Sequence, residues 1–109
     1  MNVIERLKNN EYTTDELLDI LDSKNPIVLY NAMACIAKNN IMEQTIIERL
    51  SALSKKLSNE DKSLGYYKTG HLAMSALLKL GFDKGSVFYV GLDDFEQDIV
   101  LRFYNDCPW

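Results

Sequence analysis

The sequence predicts an all-α domain built of antiparallel helix pairs. Capping signals recur ahead of apolar residues spaced at the helical period. One stretch of the chain matches another 41 residues further on, and no segment gives a convincing sheet signal. The 109 residues, 47% apolar and 26% charged, are enough for a single domain with one core.

The elements follow in order. Residues 2–8 read as a short opening helix with Val3, Ile4 and Leu7 on one side. Thr13 is an N-cap, and Glu16 three residues on completes a capping box ahead of Leu17, Leu18 and Leu21. Asn25 caps the next helix, and Pro26 suits its first position, where no N–H is needed. That helix runs to Asn39, with Leu29, Ala32, Met33 and Ile36 at the 3.6 period. Asn40 with Glu43 repeats the capping pattern and predicts a helix over 42–57, with Ile46, Ile47, Leu50, Leu53 and Leu57 as its stripe. After the polar break "SNEDKS" a helix is expected from about 63 to 80, or from Lys68 onward because Gly65 and Gly70 weaken its first half; Gly81 closes it. Residues 83–92 are compatible with helix, strand or loop. Asp93 and Glu96 then open a last helix whose candidate core residues are Phe95, Ile99, Leu101 and Phe103.

Shifted by 41 residues, "NAMACIAKNNI" (31–41) lies on "LAMSALLKLGF" (72–82), placing Ala32 on Ala73, Met33 on Met74 and Lys38 on Lys79. The chain thus divides into helix pairs at 13–39 and 42–80 with a C-terminal cap at 82–109, all within one domain, 1–109. The pattern resembles HEAT or armadillo-type repeats. It has the turn Asn25-Pro26, small residues Ala32, Ala34 and Ala37 where a second helix crosses its neighbours, and Ala73, Ala76 and Leu80-Gly81 in the later copy. The second pair lacks the turn Pro. The resemblance implies a short HEAT-like α-solenoid.

Charge is segregated. Residues 1–22 carry six acids and two bases, 24–79 carry four acids and eight bases, and 83–109 again carry six acids and two bases. A chain of net charge −4 is a poor match for phosphate backbones, so direct nucleic-acid binding is not expected. No apolar run has the length of a membrane span, and the opening "MNVIERLKNN" is charged and amphipathic, unlike a secretory leader. Cys35 and Cys107 lack metal spacing and are expected as free thiols, Cys35 buried. A cytoplasmic, reducing location is the corresponding expectation.

No catalytic signature emerges. His71 is the only His, without an H-E-x-x-H pattern or a second His, and it aligns with Tyr30 in the repeat, so packing is its expected role. No Ser lies in G-x-S-x-G, and the glycines form neither a phosphate loop nor a dinucleotide fingerprint. "DDFEQD" (93–98) fails as a calcium loop: counted from Asp94, the sixth position is Ile99 rather than Gly, and the twelfth is Asn105 rather than Glu. No catalytic residue, metal or cofactor is expected. An enzyme or nucleic-acid glycosylase on HEAT-like repeats is disfavoured by the short chain and the lack of a basic groove.

Seven of the eleven aromatics share residues 82–109 with those six acids. Aromatic anchors in an acidic setting suit a basic protein partner. The expected contacts are Asp93, Asp94, Glu96 and Asp98, with Tyr104 and Trp109 as apolar anchors and Tyr66 and Tyr67 as a further aromatic pair. The chain also resembles bacterial immunity proteins in size, charge and helical build. That resemblance implies neutralisation of a toxin, such as a basic nuclease domain, by stoichiometric occlusion. The alternative is a generic adaptor or a self-associating scaffold subunit.

Overall fold

Nine consecutive residues, Thr69 to Leu77, are buried in one helix. A helix buried on all sides belongs at the centre of a domain, and the rest of the molecule is arranged around it. The computed structural model describes residues 3–58, 60, 62–64, 67–107 and 109. Among them are seven helices: α1 (Val3–Lys8), α2 (Thr14–Leu21), α3 (Pro26–Lys38), α4 (Gln44–Leu53), α5 (Thr69–Lys79), α6 (Lys84–Val87) and α7 (Asp94–Asp106). The central helix is α5. The helices α1, α3, α5 and α7 neighbour one another in that order, while α2 and α4 neighbour each other beside α3 and α5. The radius of gyration is 12.9 Å, as expected for a packed chain of this length.

The caps explain most helix boundaries. Thr13 Oγ1 accepts the Glu16 N–H at 3.2 Å and opens α2. Asn25 Oδ1 accepts from Ile27 N–H at 3.0 Å, and Pro26 begins α3. The aligned helices α3 and α5 also end alike. Asn40 and Gly81 take the left-handed conformation, with φ of 53° and 104°. The next residue in each case bonds back five positions, Ile41 N–H to Ile36 O at 3.0 Å and Phe82 N–H to Leu77 O at 3.2 Å. Both are Schellman closures. Asn40 therefore closes α3 rather than capping α4, whose N-cap, Glu43, makes no side-chain capping bond.

One predicted boundary is corrected, and of the two starts open for the following helix the later one is found. The helix expected over 42–57 stops at Leu53, because the carbonyls beyond it serve other partners. Ser54 O accepts the Tyr89 hydroxyl at 3.3 Å, Lys56 O the Gly70 N–H at 2.9 Å, and Leu57 O the Lys68 amine at 2.8 Å. Leu57 still packs on the core, but from a loop. The stretch expected as the first half of the following helix instead holds a short antiparallel ribbon, β1 (Lys62–Leu64) and β2 (Tyr67–Lys68), with Lys62 opposite Lys68 and Leu64 opposite Tyr67. Helix α5 begins at Thr69 with Lys68 as its N-cap, which is the later start that the glycines suggested.

The internal match marks the core. Ala32, Ala73, Met33, Met74 and Ile36 have no exposed surface, and Leu77 is buried. Leu17, Leu21, Ile46, Leu50, Leu72, Val100 and Phe103 complete it. Gly70 sits where a Cβ would come within 2.6 Å of Ser54 O and 2.7 Å of Leu57 Cδ2, so the start of α5 and the loop after α4 pass too closely for a side chain. No helix among the described residues is long and apolar enough to cross a membrane.

Candidate functional site

The end of the chain that carries the acids and aromatics resolves into two separate places. The first is the corner leading into α7. Residues 83–92, open in the sequence, form the short α6 and then a turn in which Gly91 has φ 97°. Leu92 is buried and pins the turn, and its carbonyl accepts the Gln97 amide at 2.9 Å. Asp93 Oδ1 accepts the Glu96 N–H at 2.8 Å and caps α7. Acidic residues in a first helical turn are favoured by the macrodipole.

Two of the corner's apolar residues face outward. Phe95 is 71% exposed and Val90 is fully exposed, while Asp93, Asp94 and Asp98 are exposed around them. Phe95 is thus not a core residue. The inward face of α7 is carried by Val100 and Phe103, with Ile99 and Leu101 only half-buried. The signal was present in the sequence: Asp98 and Arg102 lie three and seven residues after Phe95 on the same stripe, and they pair in solvent at 3.3 Å.

Glu96 differs from its acidic neighbours. Its carboxylate meets Nε2 of His71, a side chain with 1% exposure. His71 Nδ1 accepts the Lys68 N–H at 2.9 Å, so both ring nitrogens are engaged. Tyr89 lies nearby, and its phenol is pushed above the usual range by burial and then by the charge of Glu96.

The second place is an aromatic cluster roughly 13 Å further along α7, at 1.5 Å per residue. Phe103 meets Tyr67 edge-on at 4.8 Å between ring centroids and Trp109 at 5.3 Å. Trp109 in turn lies 5.6 Å from Tyr30. Its indole Nε1–H is buried with no hydrogen-bond partner among the described residues. Trp109, one of the two expected anchors, and Tyr67, of the further aromatic pair, are both partly buried and join α7 to α3 and β2. Tyr104 is half-buried, with the Lys79 amine 4.4 Å from its ring centroid. Tyr66 lies outside the described residues. Cys35 is buried, Cys107 half-buried, and both are free.

Shallow clefts lie on the surface formed by the described residues. One of 480 Å³ lies among Leu21, Lys24, Leu29, Arg49, Leu53 and Lys56, and one of 390 Å³ among Lys8, Tyr30, Asn31, Cys35, Lys38 and Asn39. A more apolar one of 420 Å³ is formed by Leu78, Phe82, Leu101 and Tyr104 between α5 and α7. No group of three or more His, Cys, Asp and Glu side chains that could hold a metal ion is assembled among the described residues. Comparison with protein-family models, with curated proteins and with solved structures finds no match to this chain.

Proposed function

We propose that this chain is a non-enzymatic protein-binding module, a short HEAT-like solenoid that masks a basic protein domain in the cytoplasm. In its most concrete form it is an immunity protein that neutralises a toxin by one-to-one occlusion. The observation that carries the reading is the corner before α7, where Phe95 and Val90 stand in solvent among Asp93, Asp94 and Asp98. An exposed aromatic residue among acids, with Arg102 on the same stripe already paired to Asp98, suits a partner that offers Lys and Arg around an apolar crevice. The order of helix neighbours and the paired closures of α3 and α5 support the repeat architecture. Tyr67 and Trp109 take a supporting role, holding α7 against the rest of the molecule.

A second reading, a self-associating scaffold subunit, draws on the cleft of Leu78, Phe82, Leu101 and Tyr104 at the α7 end of the stack, which suits a second copy of the chain. One experiment separates the two. The tagged chain is used to recover bound protein from its source cells, beside an Asp94→Lys/Asp98→Lys variant. The immunity reading expects a basic protein that arrests growth when expressed alone, is neutralised by an equimolar amount of the unaltered chain, and is lost by the variant. A chain that recovers only itself, with a sedimentation mass above that of a monomer, sinks the immunity reading in favour of the scaffold.

A further inference from the structure

The four acids that open α7 do not share one role. Asp93, Asp94 and Asp98 are exposed, whereas the Glu96 carboxylate is turned onto Nε2 of the buried His71. The Lys68 N–H points at Nδ1, so the proton of the neutral ring sits on Nε2, and Nε2–H donates to Glu96. A single imidazole thus ties the first turn of α5 to the first turn of α7. The next polar link between these helices, Ser75 Oγ–H donating to Val100 O at 3.3 Å, lies one turn further on. Two further polar groups near this junction are engaged elsewhere: the Lys68 amine with Leu57 O and the Tyr89 hydroxyl with Ser54 O.

We propose that His71 and Glu96 form a latch that fixes the first turn of α7 and thereby the spacing at which Val90, Phe95 and the three exposed acids meet a partner. The proposal rests on reading that corner as the docking surface. Glu96 is then a positioning residue whose carboxylate serves the fold of the corner, and the direct contacts fall to Asp93, Asp94, Asp98 and Phe95. His71, which the repeat alignment places opposite Tyr30, is the fixed half of the latch because its ring is buried and bonded on both sides.

Amide hydrogen exchange along the whole chain tests this with Glu96→Gln and Glu96→Ala, both changes at the more exposed member of the pair. Without an acceptor for Nε2–H, Glu96→Ala should speed exchange at residues 96 and 97 by about tenfold or more while α1 to α4 stay unchanged. Glu96→Gln retains an oxygen acceptor and should stay within about threefold of the unaltered chain. The imidazole nitrogen resonances of the unaltered chain should show a proton on Nε2 and none on Nδ1. Unchanged exchange in Glu96→Ala, a rise spread evenly over all helices, a Glu96→Gln variant as fast as Glu96→Ala, or a ring protonated only on Nδ1 would each overturn the latch. None of these readings requires a partner. A latch that fails leaves the docking reading standing, and an unaltered chain that binds no basic protein sinks the docking reading without altering the exchange result.

Discussion

Ala32 and Ala73 show how much of the interior was legible one residue at a time. Their alignment across 41 positions marked them for close helix crossings, and both have no exposed surface. Replacing either with Leu should overpack the core and lower unfolding free energy by about 1–3 kcal/mol, read by urea denaturation. Gly70→Ala should cost a comparable amount, since the added methyl meets the Ser54 carbonyl rather than a yielding side-chain tip. A neutral result at all three positions would mean that α5 does not run where it is placed. Phe95 is the counter-example. Apolar character alone assigned it to the core, but its stripe-mates Asp98 and Arg102 face solvent. Composition does not fix a face when both sides of a short helix carry large apolar residues.

At the scale of elements, local signals set most helix starts, and long-range contacts set the rest. Thr13, Asn25 and Asp93 each cap the helix they were expected to open. The early end of α4 was not legible, because it depends on Tyr89, Gly70 and Lys68 claiming carbonyls from elsewhere in the chain. The late start of α5 was legible, because Gly65 and Gly70 weakened the stretch before it and Lys68 is its N-cap. The junction of α1, α2 and α3 gives a pH prediction. Tyr12, between α1 and α2, is pushed up from 10.0 to about 12 by burial and by its contact with Cys35 on α3. With the folded-state value raised, the unfolded chain loses its phenolic proton first. Stability from this site is therefore full below about pH 10 and is lost as the pH rises toward about 12. Alkaline unfolding followed by circular dichroism should begin in that window, and Tyr12→Phe should move its onset to higher pH. An onset that Tyr12→Phe leaves unmoved would remove this site from the account.

For the molecule as a whole, the sequence made the helical class, the single core and the segregation of charge readable. It did not reveal how the C-terminal aromatics divide. Trp109 packs on Phe103, which also meets Tyr67 from β2, while Phe95 stands outside; only the exposure of Phe95 had a sequence signal, in Asp98 and Arg102 on its stripe. The exposed set gives the proposed module a front, and association there should be sensitive to salt. Screening over a Debye length of about 8–10 Å should weaken steering by Asp94 and Asp98, so reversing both to Lys should slow association more at low salt than at high. Asp93 is spared in that test because its carboxylate caps α7. Equal association rates for the folded variant and the unaltered chain at low salt would place the contact elsewhere.

Site-specific photocrosslinking in the source cells shows whether Phe95 meets a basic protein. A photoreactive residue is placed at position 95, with controls at positions 27 and 42, where Ile27 and Met42 are also exposed. Position 95 should give a one-to-one adduct with a basic protein that fades as salt is raised, and the two controls should give none. Adducts from position 27 or 42 in the absence of one from position 95 would contradict a contact at Phe95.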